Sequence, residues 1–466
     1  MILRTPKPAL LRSWASASEV IVLLCDDSLS LKFHIAPTSY RLTLWVSSLR
    51  ISWRNMSSRS KRGGIPSPPR AKSTGALSPK HSRSRLSRAR TRTRSSEHAL
   101  VQPSRSWTSW VRSETPEQHS QRAVVIDTGT GACKAGFAGQ EIPQVSIRTL
   151  IGHLTGKTWP DILKGEVDIS LPVRHGVIVD WEAADFLWKQ LFSELNAFPE
   201  EHALLMSDPP LCPITNREKL VEVVFESLHS PAMYVACQSV LSVYAHGKTS
   251  GLVVETGYAT THTVPVYQGY NLPHETERMD IAGSNMTSYL MDLLKDKGYY
   301  LDDQVLEDIK HKCCYVALNS EAETESPASY QLPDGHVITL GKERFQCPEL
   351  LFHPPQTPGL SLVGIHDMAL RSLRKVPEEC KKDMYENILL CGGSSLFEGF
   401  EERLTHDIMA GETTDTKVKV AAIPLRQYSV WTGGSLLASL TNFQTCWVWK
   451  EHYSEHGPCI VYKKCY

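Results

Sequence analysis

The sequence predicts an α/β fold built twice, as two lobes facing each other across a ligand cleft, behind a basic N-terminal tail. Three observations carry this. The stretch Val124-Val125-Ile126-Asp127-Thr128-Gly129-Thr130-Gly131 followed by Ala132 to Gly139 is an apolar run ending in an acid, a glycine-rich turn and a second short run. That is a tight β-hairpin. The same figure, strand, acid, Thr-Gly and strand, returns at Gly251 to Val266 about 130 residues later, and a repeat of that size fits two similar half-domains. Between and after the hairpins, strand patterns alternate with helix patterns, as in sheets covered by helices.

The head of the chain differs from its body. Residues 1–121 hold 21 Lys+Arg against 6 Asp+Glu and the remainder holds 29 against 44, so the formal net charge of zero conceals a basic tail and an acidic body. No acid occurs between Asp27 and Glu97, and Arg54–Ser96 is built largely of Arg, Ser, Pro and Gly. Such a segment cannot bury enough apolar area to offset its ordering entropy, which predicts disorder. The Arg/Ser tract Ser82–Arg94 can contact nucleic acid or anionic surfaces through counterion release, and its serines are candidate phosphorylation sites. A merely solvated tail is the alternative. The run Val20–Leu24 is too short and too acid-flanked to span a membrane, and no other stretch approaches the roughly 18 apolar residues a span needs. No transmembrane segment is expected. Twelve cysteines, no Cys-x-x-Cys and no secretory signal pattern point to a reducing compartment.

The first hairpin has the composition of a phosphate cradle. Gly129 and Gly131 let backbone N–H groups approach an anion, Thr128 and Thr130 add hydroxyls, Lys134 neutralises charge, and Asp127 can hold a metal through water. Its alternative is an ordinary hairpin turn. After it, about twenty residues link Ile151-Gly152 to His175-Gly176. Val177 to Trp181 opens a helix over Glu182–Leu195 with Ala183, Phe186, Leu187, Leu191 and Leu195 on one face. Ala203 to Pro210 reads as a buried strand ending in a proline turn, Asn216-Arg217-Glu218 starts a helix, Pro231–Val235 is strand, and Cys237–Gly247 is a helix closed by glycine. A third glycine turn, Gly392-Gly393-Ser394, follows the apolar run ending at Cys391 and precedes a helical pattern, as a nucleotide-cleft loop does. The cleft between the lobes is where a ligand belongs, because both hairpins point their turns into it.

With these pieces in place, residues 122 to 466 resemble the actin family almost end to end. The blocks that carry the resemblance are Asp127 to Gly139, Asn216-Arg217-Glu218-Lys219, Pro231 to Val235, Cys314 to Leu318, Leu332-Pro333-Asp334-Gly335, Tyr428-Ser429-Val430-Trp431 and Ile460 to Tyr466. The resemblance implies an actin-like two-lobed fold, paired ribonuclease-H-like domains around a nucleotide cleft, holding ATP or ADP with Mg²⁺. It divides the chain into a tail, 1–121, and an actin-like domain, 122–466. Asp208-Pro209-Pro210 and Cys347 to Phe352 with the proline turn after it are similar to the testis-type branch, which implies cytoskeletal or sperm-head partners and a role in spermatogenesis.

By the same resemblance, Asp127, Gln238 and Glu255 surround the metal indirectly, and Gln238 and His262 orient the hydrolytic water. Thr256, Gly257, Gly283, Lys310, Gly392, Gly393 and Ser394 complete the nucleotide site. Several positions depart from the family pattern: Glu255 stands for Asp, Tyr258-Ala259 for Asp-Gly, His311 for an acid at the ribose, and Gln427 for a lysine over the base. A methylene added to a metal-shell acid moves its oxygen by about a bond length, where roughly 1 Å of misplacement can cost 10²-fold. Weak or vestigial ATP binding with little hydrolysis is the expectation. Tyr244, Thr249, Leu436, Leu440 and Cys446 match the apolar partner cleft of the family, where amphipathic helices dock, or else are plain core. Cys465 matches a penultimate cysteine expected to be exposed and reactive. The short link between Ile151 and His175 lacks room for the outer polymer-contacting loop, so self-polymerisation is not expected. Three classes of function remain: a cytoplasmic structural subunit of the cytoskeleton acting through other proteins, an ATP-hydrolysing relative, and a nuclear, chromatin-associated subunit suggested by the basic head.

Overall fold

Val124–Thr128 and Gly251–Thr256 each begin a six-stranded sheet, and the two sheets repeat one plan, the sixth strand of the second, Glu277–Met279, pairing with Thr261–Tyr267 off the main order. The computed structural model describes residues 21–25, 28–31, 122–154, 167–355, 362–412 and 417–465, all of them in one compact unit. In the first lobe the spatial order is Val448–Trp449, Ala232–Cys237, Leu204–Asp208, Val124–Thr128, Ala132–Phe137 and Val145–Arg148. In the second it is Tyr270–Asn271, Thr261–Tyr267, Gly251–Thr256, Ile388–Cys391 and Val420–Ala421. Each sheet joins an antiparallel hairpin to parallel strands: Val124 pairs Phe137 and Leu204, while Leu252 pairs Pro265 and Ile388. Parallel strands need both faces covered, which is why Val124–Thr128 and Ile388–Cys391 are buried along their whole length.

The helices follow the predicted order with shifted faces. Trp181–Leu195 is capped by Asp180, whose Oδ1 accepts from the Ala183 N–H at 3.0 Å, and is closed by Asn196 at φ 52°. Its buried face includes Trp188 and Phe192 besides Ala183, Leu187 and Leu191, whereas Phe186 and Leu195 are only partly buried. Gln238–Ala245 crosses Ser429–Ser439, and a Cβ on Gly433 would stand 1.8 Å from the Leu241 carbonyl oxygen. Leu241 belongs to the first lobe's core, while Val240 and Val243 of the same helix pack with Val253, Val264 and Leu389 of the second. This helix therefore belongs to both lobes.

The short link between Ile151 and His175 forms the hairpin Ile151–Leu154 with Val167–Ser170, then the pair Val173–Arg174 with Val177–Ile178. Ile21–Cys25 and Ser28–Leu31 add two strands to that outer hairpin, Ile21 pairing with His153 and Val22 with Gly152. The apolar run judged too short for a membrane is thus strand, consistent with its β-branched composition. The rest of the expected tail, Arg54–Ser96 and the Arg/Ser tract included, lies outside the described residues. No helix among the described residues is long and apolar enough to cross a membrane.

One expectation is corrected. Cys465 is 1 % exposed, its Sγ accepts from the Val235 N–H at 3.5 Å, and burial pushes its thiol up to about 11. The residue following the terminal helix Val461–Lys464 is held against the strand at Val235, so the thiol is neither exposed nor activated.

Gly433→Ala would drive a methyl into the Leu241 carbonyl, and backbone cannot move aside as a side chain end can. Urea unfolding of the variant should show a loss of about 3 kcal/mol or more; an unchanged midpoint would refute so close a crossing.

Candidate functional site

Three neighbouring strand ends build the first wall of the cleft. Asp127 sits near the end of Val124–Thr128, Ser207 near the end of Leu204–Asp208, and Gln238 directly after Ala232–Cys237. These strands run parallel, and the carboxyl edge of a parallel sheet is where open α/β folds place ligands. Asp127 is 3 % exposed; its Oδ2 accepts from Lys134 Nζ at 2.8 Å, and its Oδ1 from Ser207 Oγ at 2.7 Å and Gln238 Nε2 at 3.4 Å. Burial pulls the Lys134 amine down, but the Asp127 carboxylate outweighs it and holds the amine above its ordinary value. Lys134 stays charged. Ser207 was missed in the sequence, where its only signal is a hydroxyl near the end of an otherwise apolar buried strand.

The first turn is tied from behind. Thr149 donates to the Gly129 carbonyl at 2.6 Å, and its N–H to the Gly131 carbonyl at 3.1 Å. Thr128 faces the core, accepting from the Trp188 indole at 3.0 Å, and Thr130 accepts from the Gly176 N–H at 2.8 Å. Both threonines thus hold the chain itself.

The second hairpin supplies the opposite wall. Glu255 lies directly across from His262 and beside Cys391. Burial pushes the Glu255 carboxyl up to about 7, the Asp127 charge adding and Lys134 opposing, and its Oε2 is buried with no hydrogen-bond partner. His262 is 4 % exposed, and burial, with help from Arg278 and against Asp280, pulls it down to about 4. It is neutral at pH 7, with Nε2 buried and unpartnered. Thr256 is fully buried, sharing a 3.0 Å hydrogen bond with Thr261. Gly257 is fixed through its carbonyl, which accepts from the Gly283 N–H at 3.1 Å and Ser394 Oγ at 2.7 Å. Gly392, at φ +86°, approaches Thr256 so closely that a Cβ would meet its carbonyl oxygen at 2.2 Å. The three glycine turns the sequence singled out thus converge, with Gly393 next to Gln427.

On the base side, Lys310 is 3 % exposed and donates to the Gly283 carbonyl, Thr287 and Glu307 at 3.0, 2.7 and 2.8 Å. Burial pushes Glu307 up, but His311, Lys310 and Thr287 together hold it down to about 2. His311 is an exposed rim residue, and the Gln427 Oε1 is buried without a partner.

These residues fit Mg²⁺ with a triphosphate poorly. Both Asp127 oxygens are already engaged by the chain. Only the unpartnered Glu255 oxygen invites a cation. The phosphate space is worse: a Cβ on Gly131 would stand 2.8 Å from Tyr258 Cβ and Cγ, so the tyrosine side chain lies against the turn that a phosphate needs.

The apolar positions lie elsewhere. Tyr244 and Leu436 are half-buried, Leu440 is 40 % exposed, and Thr249 and Cys446 are exposed. The plain-core alternative therefore fails for Thr249, Leu440 and Cys446.

Residues 118–301 and 298–466 match the Actin family profile. The chain belongs to the actin family. Human actin-like protein 9 is 52 % identical over 366 residues, covering 74 % of this chain and 88 % of that protein; its cattle counterpart gives the same figures. Rat actin-like protein 7A is 44 % identical over 379 residues, covering 76 % and 86 %. Actin-family proteins are typically cytoskeletal and generally bind ATP or ADP with Mg²⁺. In this actin-family chain the two-lobed frame stands, with the Tyr258 side chain lying against the first glycine turn.

The Glu255 proton gives a test. Its folded value near 7 exceeds the ordinary 4.5, so the folded state retains the proton. The cost of the group is absent below about 4.5 and grows as pH rises towards 7. Glu255→Gln should therefore gain on wild type by on the order of 3 kcal/mol between pH 4.5 and pH 8 in chemical denaturation. A pH-independent difference would refute the buried carboxyl.

Proposed function

We propose that the chain is a structural, partner-binding subunit of the actin-like cytoskeleton, with weak or vestigial ATP binding, little hydrolysis and no self-polymerisation. The observation that carries this is the Tyr258 side chain against Gly131 in an otherwise intact two-lobed fold. Glu255 for Asp and the fully engaged Asp127 support it from the metal side. Residues 122–466 act as the actin-like domain and residues 1–121 as a basic tail that contacts nucleic acid or anionic surfaces. The expected setting is the cytoplasm and its cytoskeleton, in sperm heads if the resemblance to the testis-type branch extends to function. The nucleus is the alternative.

An ATPase reading is favoured by one observation, the uncharged buried His262 facing Glu255. Phosphate release under saturating MgATP separates the two. The structural subunit releases almost none.

Partners are assigned to the apolar cleft at Tyr244, Thr249, Leu436, Leu440 and Cys446. Leu440→Asp, at an exposed position, should change stability by less than about 0.5 kcal/mol yet strip an amphipathic helical partner from the protein purified from native tissue. Partners retained in full would move the docking site elsewhere.

The short link between Ile151 and His175 in the sequence supports the absence of self-polymerisation, since a head-to-tail filament requires two complementary patches. With Mg²⁺, salt and ATP the protein should sediment as a monomer or small oligomer. Regular helical filaments in electron micrographs would overturn this.

A further inference from the structure

We infer that Tyr258 is a built-in joint between the lobes: its side chain takes the space a phosphate would use between the two hairpin turns and ties the turns together without any ligand. The inference rests on the reading of a weakly binding cleft and deepens it by naming the residue responsible.

Gly131 belongs to the first lobe's hairpin and Tyr258 to the second's. A Cβ on Gly131 would lie 2.8 Å from Tyr258 Cβ and Cγ and 3.0 Å from Cδ2, well inside the usual contact of about 3.5–4.0 Å between carbons. Only glycine admits the ring there. The bare backbone that a phosphate cradle requires is already covered, from across the cleft, by the partner turn's own side chain.

The ring is held by its backbone. The Tyr258 carbonyl accepts from the Ser284 N–H at 2.6 Å, and the Gly257 carbonyl before it from the Gly283 N–H and Ser394 Oγ. The start of the helix Gly283–Lys295 thus anchors the turn that carries the ring. The first turn is anchored equally, through Thr149 to Gly129 and Gly131. Two fixed turns with one ring between them make a joint rather than a flap. A second tie crosses nearby, where Arg278 Nη2 donates to the His175 carbonyl at 3.2 Å. Tyr258 as a residue is 46 % exposed, so it meets both the turn and solvent.

The test uses the full chain with MgATP and magnesium pyrophosphate as probes, reading titration calorimetry and amide exchange at residues 128–132 and 256–260. Wild type and Tyr258→Phe should bind both probes weakly and show the same protection with and without them, because the ring and not the hydroxyl fills the space. Tyr258→Ala should bind MgATP and pyrophosphate at least tenfold more tightly, with both turns exchanging faster until a probe is added. Should that variant fail to fold, Tyr258→Asn, a residue that turns accept, carries the same expectation. Unchanged affinity and unchanged exchange in the folded variant, beside a weakly binding wild type, would overturn the joint and leave the weak-cleft reading intact. Micromolar binding by wild type itself would sink both.

Discussion

The approach of Gly433 to the Leu241 carbonyl is the constraint on which the rest of the molecule depends. It presses Ser429–Ser439 onto Gln238–Ala245 with no side chain between them, and Gly434 lies over the Val125 and Leu205 side chains of the sheet, where a Cβ would stand at 2.8 and 3.1 Å. Gln238 is the first residue of the crossed helix, and its reach to Asp127 is set by that packing. The opposite face of the helix supplies Val240 and Val243 to the core shared with the second sheet. One close helix crossing therefore fixes both the site wall and the joint between lobes. Trp431 adds to it, stacking its ring on Gly136 and donating its indole N–H to the Val125 carbonyl at 3.0 Å.

Inside that frame the first acid is satisfied by the chain, whereas Glu255, His262 and Gln427 each keep a buried polar atom without a partner. A buried carboxylate is stable when its lone pairs are filled, and Asp127 has three donors of its own. Glu255, the second acid, is buried with no donor on Oε2 and lies in the field of the first, so burial above all, and then the Asp127 charge, favours its protonated state.

Much of this was legible in the residues. The two hairpins, the glycine turn after Cys391 and the helix beginning near Gln238 follow from periodicity and turn chemistry, and the structure forms them as Val124–Phe137, Gly251–Tyr267, Gly393–Ser395 and Gln238–Ala245. Tyr258 was legible as bulky and misplaced, but not where its side chain would go, because that depends on the distance between two turns separated by more than a hundred residues. Ser207 was invisible because a hydroxyl near a strand end is usually just solvated. Cys465 misled for a related reason: position near the end of a chain argues for exposure, while the contact that buries it comes from Val235, far back in the sequence. Local pattern reports elements; burial of a particular atom reports the packing of elements that no local window contains.

The refilled cleft also changes what couples to what. A lobe joint made by a bound ligand contributes RT ln(1 + [L]/Kd), so its strength rises and falls with ligand concentration and is lost on turnover. A joint made by a tethered side chain has no such dependence, since the ring is always present at the effective concentration set by a fixed turn. The helices that cross at Gly433 carry Tyr244 and Leu436, two of the apolar cleft positions, and sit on the same two lobes. On the proposed reading, a partner docking there would meet one arrangement of the lobes whatever the nucleotide level. Under the proposed function, an aromatic contact in place of a ligand contact would convert a nucleotide-gated fold into a constitutive scaffold, with the sheets and the helix crossing left as they are.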